Sequence, residues 1–162
     1  HTYVLNTTIS NCSNNFGPHQ HDEKLTPTVI RTALSGNPIP IYGKGDNIRD
    51  WLYVTDHCDA IITIFNEGIS GHTYNVGTYN ERTNLSLCKE ICTLLDTLKP
   101  KENGTSFIDQ ITFVIDRPGH DLRYAIDASK LENELGWKAS SSFNSALTDT
   151  IGYYINKYDS TT

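Results

Sequence analysis

At 162 residues the chain is long enough for one compact domain, burying roughly 70% of the surface that its unfolded form exposes. Its net charge of -6, from 13 basic and 19 acidic residues, argues against nucleic acid as a partner, because binding a phosphate backbone needs a basic face. No apolar run approaches the roughly 18 residues of a membrane span and no secretory signal is visible, so a cytoplasmic protein with no membrane partner is expected.

The acidic balance leaves room for a small phosphorylated ligand, which two or three local arginines can hold. Cys12, Cys58, Cys88 and Cys92 lack the paired spacing of a zinc site. Cys88 and Cys92 fall at i and i+4 of an expected helix and read as buried, reduced thiols, with no metal. His19 and His21 alternate without an obvious third ligand and read as rim residues. The chain contains no methionine, so His1 is expected to begin a processed or partial polypeptide.

In chain order, residues 3–12 are β-branched, bounded by polar residues, and predict a strand. Asn14 and Asn15 follow at its carboxyl end, where open α/β sheets gather ligands, although asparagine suits a plain turn equally well. Apolar spacing predicts a helix over 24–34, stopped by Gly36. Pro38 and Pro40 hold the next stretch extended. A run ending at Tyr42 then meets Gly43-Lys44-Gly45, and a second extended run carries Arg49, Asp50 and Trp51, which together predict a hairpin.

Thr55 or Asp56 can cap a helix over 56–65, with Ala60, Ile61, Ile64 and Phe65 at core spacing and Gly68 as its stop. Residues 73–76 predict a short strand leading into a loop with Gly77, Asn80 and Asn84. The broad apolar stripe of Leu87, Ile91, Leu94, Leu95 and Leu98 predicts a helix over 85–98. A loop over 99–106, a strand over 111–115 and a polar stretch over 116–123 follow. Asp127 can cap a helix over 128–135 ended by Gly136, and Ser142 can cap a final helix with Leu147, Ile151, Tyr154 and Tyr158 on its core side. Strands alternating with helices make this an α/β chain.

An arginine fixed on a strand beside Tyr42 and Trp51 suits a flat anionic ligand such as a nucleotide, because its planar fork of donors matches paired phosphate oxygens. Four stretches sharpen this reading: Asn11-Cys-Ser-Asn-Asn-Phe-Gly-Pro18, Arg49-Asp-Trp51, Tyr74-Asn-Val-Gly77 with Asn80-Glu-Arg-Thr-Asn84, and Asp116-Arg-Pro-Gly-His-Asp121 with Arg123-Tyr-Ala-Ile-Asp127. In this order and spacing they resemble the C-terminal half of the dTDP-glucose 4,6-dehydratases, extended short-chain dehydrogenase/reductases that act on nucleotide sugars. The resemblance runs over essentially the whole chain. Arg-Asp-Trp and Tyr-Asn-Val-Gly are shared with related epimerases and decarboxylases, whereas the 116–121 and Glu23-Lys24-Leu25 stretches point more narrowly to the dehydratases.

The resemblance implies that residues 1–15 and about 73–77 contribute strands to a Rossmann-type parallel sheet begun upstream. The remaining elements would form a smaller mixed α/β substrate-binding domain. It implies a dTDP-sugar substrate, an NAD cofactor held mostly by an N-terminal half outside this chain, and a homodimer for the full-length protein. The implied reaction takes a hydride from the sugar C4 to NAD, eliminates water across C5 and C6, and returns the hydride to C6.

Carried over position by position, the resemblance implies that Asn15 contacts the nicotinamide end of the cofactor and Asn14 the substrate. Lys24 and Leu25 lie on the sugar-nucleotide path, and Pro40 and Tyr42 wall the thymine. Arg49 and Arg117 hold the diphosphate, helped by Asn84 and His120. No glycine-rich dinucleotide turn and no Thr-Asp-Glu occur, so the catalytic groups are expected upstream of His1 and the chain is expected to be inactive alone. The one Tyr-x-x-x-Lys, Tyr153 to Lys157, lies in the final amphipathic helix and reads as helix surface. Asp22, Val4 and Leu122 depart from the usual Pro, Gly and Arg. The alternatives are another nucleotide-sugar epimerase or decarboxylase of the superfamily, and a non-catalytic nucleotide-sugar-binding fragment.

Overall fold

The computed structural model describes residues 5–159. Strand β1 (Ile9–Cys12) runs parallel to β5 (Thr73–Val76), with Ile9 opposite Thr73 and Cys12 opposite Val76. The Ser13 amide still donates to the Val76 carbonyl at 3.0 Å. One residue later the chain changes partner, and β2 (Asn14–Phe16) lies parallel to the second half of β4 (Ile48–Tyr53). On its first half, β4 pairs antiparallel with β6 (Glu81–Thr83) and parallel with β8 (Arg123–Tyr124). A third, parallel pair joins β3 (Ile39–Tyr42) to β7 (Ile111–Val114).

The helices are α1 (Leu25–Leu34), α2 (Val54–Glu67), α3 (Asn84–Leu98), α4 (Ser129–Leu135) and α5 (Phe143–Asp159). Among the described residues, none is long and apolar enough to cross a membrane. Their apolar faces make two cores. In the larger, Val29, Ile30 and Ala33 of α1, Leu87, Ile91 and Leu95 of α3, and Leu147, Ile151 and Tyr154 of α5 close over Ile39, Ile41, Phe16 and Trp51. The smaller joins Leu52, Ala60, Ile64, Tyr74, Val76, Leu131 and Trp137. Each fully buried Leu or Ile contributes about 1.5–3 kcal/mol. β4 is the wall between them, because successive strand residues face opposite sides: Trp51 enters one core and Leu52 the other.

The α/β reading holds, and the strand over 73–76, the helices over 24–34 and 85–98, and the left-handed Gly136 stop agree with the sequence. The hairpin does not form. Gly43 (φ 57) and Gly45 (φ 71) turn the chain away, so β3 pairs with β7 and β4 with β2, β6 and β8. The Gly43 amide donates to Val114 and the Gly45 carbonyl accepts from Leu85, so this turn is fastened to other segments rather than closing a two-stranded ladder.

Other boundaries move for local reasons. Of the described part of the 3–12 run, only Ile9–Cys12 is strand, while Tyr3 and Val4 lie outside the described residues. Neither Thr55 nor Asp56 caps α2, which opens at Val54; the Asp56 carboxylate instead accepts from Ser140 and Ser141 between α4 and α5. Ile61 and Phe65 lie on the outer face of α2 rather than in a core. Asn84 opens α3 instead of sitting in a loop, with the Thr83 hydroxyl accepting from the Ser86 amide at 3.0 Å. A short 3-10 helix, Phe107–Gln110, precedes β7, capped by Ser106. Asp127 Oδ1 accepts from the Ser129 amide at 2.9 Å and so sets the start of α4 one residue later than its spacing suggested. Cys88 and Cys92 are buried free thiols.

Candidate functional site

Arg49 is only 8% exposed. Its Nη1 donates to the Ile48 carbonyl at 2.7 Å and its Nη2 to the Asp121 carbonyl at 2.9 Å. Asn47 Nδ2 donates to that same Asp121 oxygen at 3.1 Å. The ion pairs among the described residues leave Arg49 without a carboxylate. A buried cation costs several kcal/mol unless dipoles or an anion compensate it, and two carbonyl dipoles compensate only part. The guanidinium is therefore predisposed to an anion.

The segment that carries Arg117 and His120 is pinned at both ends to this strand. At its start, Asp116 packs on Gly43, where a Cβ would meet Asp116 Oδ2 at 2.9 Å. At its end, the Asp121 carbonyl holds Arg49 and Asn47, and the Leu122 carbonyl accepts from the Ile48 amide at 2.7 Å. Asp116 Oδ1 accepts from His120 Nδ1 and from the Arg117 amide, each at 2.8 Å. The His120 bond leads in holding the Asp116 carboxyl below its usual range. Arg117 is exposed and forms no ion pair among the described residues. The Asn84 amide donates to the Asn47 carbonyl at 3.0 Å, bringing the first turn of α3 to the same place. Helix amino termini favour negative charge.

Tyr42, half exposed, lies opposite Val114 at the end of β3, and Pro40 shares its face two residues earlier. Tyr42, Arg49, Asn84, Arg117 and His120 are thus drawn together by one connected set of backbone and side-chain bonds. Asn14 and Asn15 are not equivalent. Asn14 lies opposite Trp51, on the Arg49 side of β4, whereas Asn15 lies opposite Leu52 on the other side.

On that other side, Asn15 Nδ2 donates to the Ser13 carbonyl at 3.1 Å and approaches Cys12 Sγ at 3.3 Å. The amide orientation this imposes turns Asn15 Oδ1 to His57 Nδ1 at 2.9 Å, so His57 carries its proton on Nδ1. Burial lowers the His57 pKa, which favours the neutral ring. Lys24, exposed, precedes α1, and Leu25 packs half-buried against the larger core. Among the described residues neither bonds to the Arg49 group.

A cleft of about 150 Å³ lined by Phe16, Trp51, Tyr53 and Phe143 includes none of these candidates. The candidate residues lie outside that cleft.

A family model described as GDP-mannose 4,6 dehydratase matches residues 1–150. The chain belongs to this family. It is 54% identical over 154 residues to the dTDP-glucose 4,6-dehydratase of Escherichia coli, covering 95% of this chain and 42% of that protein. It is 51% identical over 155 residues to the Xanthomonas campestris dTDP-glucose 4,6-dehydratase, covering 96% and 44%. The crystal structure of dTDP-glucose 4,6-dehydratase from Bacillus anthracis in complex with NAD superposes with a TM-score of 0.84 at 41% identity, covering 98% of this chain and 47% of that one. The fold is that of the Rossmann-type dehydratases. The chain spans less than half the length of the relatives it matches.

Sequence reasoning missed the supports of this site. Asn47 binds both the Asp121 carbonyl and, through its own carbonyl, Asn84. Asp116 orients His120 and the Arg117 backbone. Asp116 had a visible signal, four residues before a histidine in a glycine-containing turn. Asn47 and His57 had none, because their partners lie 74 and 42 residues away.

Proposed function

We propose that this chain supplies the nucleotide-sugar-binding half of a dTDP-glucose 4,6-dehydratase, a carbon-oxygen lyase that converts dTDP-glucose to a 4-keto-6-deoxy nucleotide sugar. The supporting observation is Arg49: a buried guanidinium with no carboxylate partner among the described residues, tied to the backbone of the loop that carries Arg117 and His120. Arg49 and Arg117 take the diphosphate, with Asn84 and His120 completing its donors. Each charge-assisted bond contributes about 1.5–3 kcal/mol. Pro40 and Tyr42 wall the base, Asn14 meets the sugar side, and Lys24 and Leu25 line the path. The relatives' names, at about half identity, favour a dTDP-sugar over other nucleotide sugars.

NAD, when bound, supplies the hydride acceptor and donor. Of this chain, Asn15 is the residue that fits it. Its amide hydrogens turn toward Ser13 and Cys12, and one Oδ1 lone pair faces His57, so its remaining capacity is a single acceptor, suited to a carboxamide N–H. The glycines here make no dinucleotide turn, so we place the pyrophosphate site and the catalytic acid and base in the portion that relatives have and this chain does not span. The β1–β5 pair is then one margin of a larger parallel sheet. A two-stranded pair is too small to stand alone, and parallel sheets are ordinarily covered on both faces. On this reading the whole enzyme is cytoplasmic and homodimeric.

Calorimetric titration of the chain with dTDP tests the proposal. Micromolar to millimolar binding, weakened about tenfold or more by Arg117→Ala, is expected. Equal affinities remove Arg117 from the site, and no heat at millimolar dTDP sinks the reading.

A further inference from the structure

The stretch between β2 and α1 has candidate residues at both ends, Asn14 and Asn15 before it and Lys24 and Leu25 after it. Within it His19 takes φ 63, a left-handed conformation that costs a non-glycine residue free energy and persists where the surroundings over-determine it. Those surroundings are one face of α5. Tyr153 OH lies 3.0 Å from His19 Nδ1, with the two rings 4.6 Å apart. Tyr154, fully buried, donates its hydroxyl to the Gln20 carbonyl at 2.7 Å. Lys157 Nζ and Tyr158 OH both reach Asp22 Oδ1, at 2.8 and 3.1 Å.

The loop passes these restraints on. Gln20 Nε2 donates to the Asn15 carbonyl at 2.7 Å, and the Asp22 carbonyl accepts from Thr28 Oγ1 at 2.9 Å in the first turns of α1. Hydrogen bonds therefore run from α5 through Gln20 to the backbone of Asn15, and through Asp22 to the helix that Lys24 and Leu25 begin. The Tyr153 and Lys157 side chains, read from the sequence as helix surface, are both engaged here. Burial pushes the Tyr154 phenol up to about 12, so its hydroxyl remains a donor across the range in which enzymes work.

We propose that α5 is the positioning element for the candidate substrate loop, with the Asp22–Lys157 ion pair as the latch that fixes the pose of Lys24 and Leu25. This rests on the nucleotide-sugar reading for what the loop touches, but not for how it is held. An exposed proline at position 22 would restrain the backbone covalently. The carboxylate here restrains it through a partner 135 residues away.

The test uses two readouts on the intact chain, amide hydrogen exchange over residues 20–25 and calorimetric affinity for dTDP. Asp22→Ala is expected to speed exchange over 20–25 about tenfold, to leave the amides of Leu87 to Leu95 in α3 unchanged, and to weaken dTDP three- to tenfold. The charge-reversed pair Asp22→Lys with Lys157→Asp should recover at least half of both losses. Unchanged exchange in Asp22→Ala overturns the latch, and faster exchange with unchanged affinity overturns the positioning role. If the unmutated chain binds no dTDP, the nucleotide-sugar reading fails and exchange alone decides the latch.

Discussion

Arg49 and Arg82 stand directly opposite each other on the β4–β6 ladder, and only Arg82 has a carboxylate, Glu90 Oε1 at 2.6 Å. Arg82 also lies over the Phe143 ring, 4.1 Å from its centroid. Like charges directly across a ladder repel, and Glu90 pairs with Arg82 alone, which leaves the Arg49 charge without an ion pair among the described residues. Arg49→Met should weaken dTDP binding about tenfold to a hundredfold. Arg82→Met should leave affinity nearly unchanged and lower stability by about 0.5–2 kcal/mol through the lost ion pair and ring contact. Calorimetry and urea melts on both variants separate the two roles; an Arg82 variant that loses dTDP as badly as the Arg49 variant refutes the division.

Asp50, one residue on, serves structure. Its carboxylate, 1% exposed, accepts from the Thr78 amide at 3.0 Å, the Thr78 hydroxyl at 2.9 Å and the Asn80 amide at 2.8 Å. Gly77 approaches it so closely that a Cβ would lie 2.7 Å from Asp50 Oδ2 and 2.4 Å from Ile126 Cγ2. Asp50→Asn turns an acceptor into a donor facing donors and should cost about 2–4 kcal/mol. Gly77→Ala should cost about 1–3 kcal/mol by overpacking. Denaturant midpoints measure both, and an Asp50→Asn loss below that of an ordinary surface substitution would contradict the buried-acceptor account.

Helices and the strand over 73–76 were legible because periodicity of apolar residues is local. Gly136 was legible as a stop because its left-handed turn needs no partner. The β3–β4 hairpin was misread for the opposite reason: a glycine turn between two extended runs looks local, but where those runs pair depends on β7 and β8, more than 60 residues on. Asp56 looked like a cap because short carboxylates favour helix starts, and a distant pair of serines competed for it. At the candidate site, the resemblance named Tyr42, Arg49, Asn84, Arg117 and His120, and the structure ties the segments that carry them to one another. Their support Asn47 emerges only from a contact 74 residues away, as the separation of Asn14 from Asn15 onto opposite faces emerges only from strand pairing, whereas Asp116 bonds within its own turn.

Acid should loosen the Arg117 loop. Hydrogen bonding to His120 holds the Asp116 pKa below its ordinary 3.8, and Arg123 likewise lowers that of Glu81. A carboxylate depressed in the folded state adds stability that is present above its unfolded pKa and is lost as pH falls through the folded one. The loss therefore begins near pH 4 and completes below it. Asp116→Asn should flatten the fall in stability below about pH 5 relative to the unmutated chain. Urea midpoints across that range measure it, and parallel curves would show that the Asp116–His120 contact contributes nothing to acid sensitivity.

The outer face of α2 should make the isolated chain self-associate. Phe65 is 84% exposed, with Ile61 and Ile62 beside it on the helix, and Leu5 and Ile9 are also exposed. Beyond them, among the described residues, the backbone of β1 pairs with β5 alone, leaving its other edge free. Contiguous apolar surface and an open strand edge are the two features that soluble monomers ordinarily avoid. Sedimentation velocity at rising concentration should therefore show growing oligomers. Phe65→Lys with Ile62→Lys should shift the distribution toward monomer while changing the urea midpoint little, because neither side chain contributes to a core. Clean monomeric behaviour of the unmutated chain at about millimolar concentration would mean that this face is too small or too well screened by its polar neighbours to drive association.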